Sequence, residues 1–200
     1  MFDGAAPVTL AVDAIERLGL RVGRSIAGLE ARLAEEAAEL AVFDRALNML
    51  AFRARASTEL SRALVRKGAD AAAVAKAVTR LQQQGFLDDR AFAEAFARLK
   101  VVGASHSRRR VQLDLARKGV ARDVADAAIA AVFDTEGIEQ GSIVEAAARK
   151  KLRTLARHEP MVRRRRLYAF LARRGYDGDD IRRTMDAMRV ELGADFQADE

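Results

Sequence analysis

The sequence predicts an all-α chain: an elongated, curved array of three tandem three-helix repeats. Three observations predict it. The 200 residues are half apolar and hold only two prolines, and with Ala, Leu and Arg abundant they favour helix. No segment sustains the period-two alternation of a strand. Finally, the chain repeats itself in register with three glycines.

The repeat is anchored on Arg66-Lys67-Gly68, Arg117-Lys118-Gly119 and Arg173-Arg174-Gly175. Eight residues before each glycine stand Leu60, Val111 and Leu167, and four before stand Leu64, Leu115 and Leu171. Six, ten and thirteen after come Val74/Ala125/Ile181, Val78/Ile129/Met185 and Leu81/Val132/Met188. Steps of three and four mark one face of a helix. A glycine free to turn left-handed ends the first helix of each pair. One such unit buries little alone, and stacking neighbours extends the core.

Taken in order, residues 1–40 form an N-terminal extension. "MFDGAAPVT" is expected to be loose, and Ser25 to Leu40 to be helical with Leu29, Leu33 and Leu40 inward. Repeat 1 (41–86) opens with a helix from Phe43 to Ala54, with Leu47, Leu50 and Phe52 or Ala51 inward. Its second helix has a conventional start at Ser57-Thr58-Glu59. Repeat 2 (87–135) opens with "DDRAFAEAFARLKVV" (88–102), where Phe92, Phe96 and Leu99 stand at helical spacing. Asp88 is its expected N-cap, Asp89 favours its first turn, and Gly103 stops it. Repeat 3 (141–192) opens with "SIVEAAARKKLRTLAR", in which Ser142 and Glu145 fit a capping box. An acidic tail, 193–200, follows.

Without cysteine there is no disulfide framework or thiol nucleophile. No dinucleotide fingerprint, P-loop or H-E-x-x-H is present. His106 and His158 lack local catalytic partners and are expected at the surface. The chain is therefore not expected to be an enzyme or to hold a cofactor or metal. It has no signal peptide pattern and no apolar run of about 20 residues, so a cytoplasmic protein without membrane contact is expected.

Charge is more informative. The net formal charge is +6. Residues 149–174 carry eleven cations against Glu159 alone, while 177–200 carry eight acids against Arg182, Arg183 and Arg189. Such a basic band suits a polyanion or an acidic protein surface. Arg66, Lys67, Arg117, Lys118, Arg173 and Arg174 stand where a helix C-terminus welcomes cations, by roughly 0.3–1 kcal/mol each. Partner contact is a secondary role for them.

Arg108, Arg109 and Arg110 stand at the opposite end. With Ser107 as N-cap they occupy the first three helical positions, opposed by the dipole, whereas a cap at Ser105 would move them inward and weaken that opposition. The third repeat is basic at the same registers, Arg164, Arg165 and Arg166, with Arg163 before them and Pro160 as the expected helix start. Guanidinium groups so placed can grip carboxylates or phosphates in bidentate fashion.

"FDRALNMLAFRARASTELSRALVRKG", "AVTRLQQQGFLDDRAFAEAF", "GASHSRRRVQLDLARKGV" and "RRRRLYAFLARRGYDGDDIRRTM" together resemble the bacterial RecX family over residues 41–192. The resemblance implies an array of three-helix repeats that binds RecA and the groove of the RecA–DNA filament. It implies that filament growth, strand exchange and ATP hydrolysis are limited, within DNA repair, recombination and the SOS response. The seven arginines 108–110 and 163–166 are the expected contacts, DNA contact being weak and nonspecific and the protein a monomer. A stand-alone DNA-binding protein with helix-turn-helix-like units is the competing expectation.

Overall fold

The computed structural model describes residues 7–192, and every regular element among them is helical. The helices are α1 (Val12–Arg17), α2 (Glu30–Phe52), α3 (Ser57–Arg66), α4 (Ala71–Gln83), α5 (Asp89–Arg98), α6 (Arg108–Lys118), α7 (Arg122–Thr135), α8 (Gln140–Leu155), α9 (Pro160–Arg173) and α10 (Gly178–Ala187). A π-helical turn, Leu99–Gly103, continues α5 and ends at the expected Gly103. The chain divides into two compact units, residues 1–89 and 90–200.

In the first unit, α2 packs on α3 and α4. The core joins Val42, Phe43 and Ala46 to Leu60, Leu64, Val74, Ala77 and Leu81. Two expectations need correction. The helices foreseen at 25–40 and 43–54 are one helix of 23 residues, beginning at Glu30 and running across residue 40. Its inward face is set by Phe43 and Ala46; Leu47 and Leu50 pack at the edge of the core, and Phe52 is 83% exposed. The short α1 was not foreseen. It is tied down by buried Ala14 and Leu18 and by Arg17, whose guanidinium donates to both carboxylate oxygens of Glu36 at 2.7 and 2.8 Å. The start of "MFDGAAPVT" and the tail 193–200 lie outside the described residues.

Asp89 turns out to tie two helix starts together. Its carboxylate accepts the backbone N–H of Ser57, the first residue of α3, at 2.7 Å, in keeping with the preference of helix N-termini for negative charge.

The second unit holds the other two repeats. α6 packs on α7, while α8, α9 and α10 pack mutually. The foreseen register positions carry both cores: Val111, Leu115, Ala125, Ile129 and Val132 are buried in one, Leu167, Leu171, Ile181, Met185 and Met188 in the other. Gly68, Gly119 and Gly175 all take positive φ, at 84°, 82° and 86°. In α5 the buried residues are Ala93 and Ala97, followed by Val101 in the π turn; Phe92 and Phe96 are half-buried and Leu99 is 64% exposed. The capping box of α8 does not form, because the N-cap is Glu139, three residues before Ser142. Ser142 lies inside the helix and donates its hydroxyl to the Glu139 carbonyl at 2.8 Å.

Candidate partner-binding surface

The three arginines at the start of α6 divide into different roles. Ser107 is the N-cap, its hydroxyl accepting the Arg110 N–H at 3.2 Å. The helix start abuts the end of α9. Ser107 N–H donates to the Arg174 carbonyl at 3.0 Å, and the Ser107 hydroxyl donates to the Gly175 carbonyl at 2.7 Å. The negative end of one helix therefore meets the positive end of the other. This relieves part of the unfavourable field at the triplet without any outside anion.

Two side chains of the triplet are engaged internally. Arg108 lies over the Phe133 ring, 3.7 Å from its centroid, a cation–π contact worth about 0.5–1 kcal/mol at an exposed site. Arg110 is half-buried and donates to Asp114 at 3.1 Å. Asp114 also receives Arg117 at 3.4 Å. Arg109 is exposed and has no ion-pair partner among the described residues.

The loop that delivers Ser107 is tightly held. Ser105 adopts φ 50°, which few non-glycine residues do. Its carbonyl accepts the Tyr176 hydroxyl at 2.9 Å, and burial of Tyr176 pushes that phenol up to about 12. His106 is not an open surface residue, its side chain being only 19% exposed. Burial, then Lys100 and Arg174, hold its pKa below the ordinary value, against Asp114, whose carboxylate lies 3.9 Å from Nδ1. Arg174 lies over the Phe170 ring at 4.3 Å, and burial lowers its pKa too.

The four arginines of α9 lie toward its other end. Nine to twelve residues separate them from Gly175, roughly 13–18 Å along a helix axis, so the two basic runs do not merge into one patch. Arg163 is half-buried and donates to the Glu191 carbonyl at 3.3 Å. Arg166 contacts His158 Nε2 at 2.7 Å. Arg164 and Arg165 are exposed and, among the described residues, unpaired. They stand beside exposed Met161 and Tyr168 along a groove facing α10.

The secondary cations follow the helix-end logic. Lys118 lies over both Phe92 and Phe96, at 5.7 and 5.4 Å. Arg66, Lys67 and Arg173 are exposed. No group of three or more metal-ligating side chains occurs among the described residues, and no helix there is long and apolar enough to cross a membrane.

Sequence reasoning missed Asp114, Phe133, Tyr176 and the Met161–Tyr168 stripe. Asp114 was legible from its spacing, four residues after Arg110 and three before Arg117. Tyr176 directly follows the third anchor glycine, but nothing local names Ser105, 71 residues away, as its partner.

Comparison with known proteins adds to this geometry. Models of the first, second and third three-helix domains of RecX match residues 43–81, 88–129 and 139–185 in succession. The regulatory protein RecX of Chlorobaculum tepidum is 36% identical over 164 residues, 80% of this chain and 96% of that protein. RecX of Mycolicibacterium vanbaalenii is 36% identical over 140 residues, 66% of this chain and 73% of that protein. Among solved structures, a regulatory protein RecX shares the fold at TM-score 0.74 and 19% identity, covering 93% of this chain and 92% of that one. RecX from Lactobacillus salivarius does so at TM-score 0.60 and 17% identity, covering 76% and 97%. With three successive domain matches and a relative aligned over nearly its whole length, the chain belongs to the RecX family of regulatory proteins.

Proposed function

We propose that this chain binds RecA and the RecA–DNA filament and limits filament growth, ATP hydrolysis and strand exchange, thereby regulating DNA repair and recombination in the cytoplasm. The observation that carries this reading is a set of cations left over by the fold. Arg109, Arg164 and Arg165 are exposed and, among the described residues, have no acidic partner. Arg108, Arg110, Arg163 and Arg166 brace the scaffold that presents them. Unpaired guanidinium groups on rigid helices keep their donors for a partner's carboxylates or phosphates. The chain works as a monomer without a cofactor, and its contact with DNA is nonspecific.

The test is a RecA filament assembly assay with this protein titrated in, paired with binding of labelled DNA over a salt series, with and without RecA. Shortened filaments and weak, steeply salt-dependent binding to bare DNA are expected. Tight, sequence-selective DNA binding without RecA would instead mark a stand-alone DNA-binding protein.

A further inference from the structure

In the third repeat, Met161, Arg164, Arg165 and Tyr168 occupy positions i, i+3, i+4 and i+7 of α9, which place them on one helical face. Met161 is 67% and Tyr168 48% exposed, although Leu167 and Leu171 on the adjoining face of the helix are fully buried. The face borders a groove of about 470 Å³ shared with Met185, Asp186 and Arg182 of α10. The groove continues past Pro160 to Arg189 and Leu192. Arg182 is already engaged by Asp179, and among the described residues Asp186 is the one carboxylate of the lining. The groove thus offers an apolar contact at each end of its α9 wall and, between them, two guanidinium groups with no partner among the described residues.

We infer that this α9–α10 groove docks an acidic protein segment, one that seats an apolar side chain against Met161 and Tyr168 and sets carboxylates on Arg164 and Arg165. The inference rests on the proposed function for the partner, the RecA filament, and on the groove itself for the chemistry. A phosphate backbone would use the arginines and leave the methionine idle. An acidic segment with an apolar anchor uses all four side chains. Charge complementarity sets orientation and arrival rate, while the buried apolar contact slows departure.

Two variants separate the parts. Met161→Ala/Tyr168→Ala removes the apolar contacts and no charge; Arg164→Gln/Arg165→Gln removes the charge and no apolar contact. All four positions are exposed, so folding is checked simply by circular dichroism. Binding of the full chain to RecA–DNA filaments is expected to weaken about tenfold or more in each variant, as loss of an interface anchor does. Binding to bare poly(dT) is expected to fall only in the arginine variant. Filament affinity unchanged in the Met161/Tyr168 variant overturns the inference while leaving the proposed function intact. Equal losses on poly(dT) and filament in that variant overturn it in favour of base stacking on Tyr168.

The chain has five methionines, so methyl-labelled methionine spectra resolve the groove directly. If the wild-type protein does not bind filaments at all, the proposed function fails, and titration with a synthetic Glu-rich peptide carrying one Phe decides the groove. Saturable shifts of the Met161 and Met185 methyl signals support the inference, and their absence overturns it. Shifts of those two signals on simply deleting residues 193–200, with tighter filament binding, would show the chain's own acidic tail to be the occupant and overturn it as well.

Discussion

The Ser107 hydroxyl uses both its donor and an acceptor site at once, donating to the Gly175 carbonyl at 2.7 Å while accepting the Arg110 N–H at 3.2 Å. One buried oxygen thereby caps α6 and joins the second repeat to the third. Ser107→Ala removes both bonds and leaves a carbonyl at α9's end short of a partner. A loss of about 1–2 kcal/mol is expected, read as a lower midpoint in urea unfolding. A change under about 0.5 kcal/mol, the level of an ordinary surface substitution, would contradict the double role.

Gly175 and Gly68 make a matched pair. Both have strongly positive φ, 86° and 84°, but a Cβ on Gly68 meets open space. A Cβ on Gly175 would lie 2.6 Å from the Arg110 Cβ, 2.7 Å from the Ser107 Oγ and 3.2 Å from the Arg110 Cα. Gly68→Ala is expected to cost about 1–2 kcal/mol, the penalty for a left-handed L-residue. Gly175→Ala is expected to cost about 1–3 kcal/mol more, because Arg110 must move. Thermal unfolding of the two variants decides this, and equal losses would show that the junction yields easily.

Arg109 and Arg110 are neighbours with opposite expected phenotypes. Arg109→Glu leaves the fold's contacts in place and is expected to weaken filament binding while keeping or slightly raising the melting temperature, since a carboxylate suits the first turn of α6 better than a cation. Arg110→Ala breaks the pair with partly buried Asp114 and is expected to lower stability by up to about 1 kcal/mol. Measuring melting temperature and filament affinity for both variants checks the division, and a stability loss from Arg109→Glu alone would reverse it.

His106 makes stability depend on pH. The folded protein holds the imidazole below its ordinary 6.5, chiefly by burial and next by Lys100 and Arg174, so the unfolded chain binds the proton more readily. Stability is complete above about pH 6.5 and falls as pH drops through the native pKa. His106→Gln removes this contribution. Between about pH 7.5 and about pH 5 the wild-type melting temperature is expected to fall more than that of the variant. Parallel curves would contradict it.

The repeat was legible because its signal is local and periodic. Three glycines and fifteen apolar positions at fixed offsets describe helices whose faces are set by spacing alone, and all but half-buried Val78 of those positions are buried. The helical turns before residue 40 were foreseen, but not that they run on into the next helix, although the Ala- and Glu-rich stretch from Glu30 to Leu40 carries no stop between the two segments. The arginine triplet was legible as an anomaly of the dipole, but its resolution was not. The carbonyls of Arg174 and Gly175 lie 67 and 68 residues away from Ser107, and only tertiary packing brings them there. Likewise the α9–α10 groove depends on which side of α9 its partners leave open.

Arg164 and Arg165 of the α9 face, unpaired among the described residues, are expected to act on RecA. The most direct measurement is the DNA-dependent ATPase of RecA, titrated with wild-type protein and with a folded Arg164→Glu/Arg165→Glu variant. Inhibition by the wild type, weakened about tenfold or more in the variant, is the expected result. Undiminished inhibition by the variant, or none by the wild type, would contradict the claim.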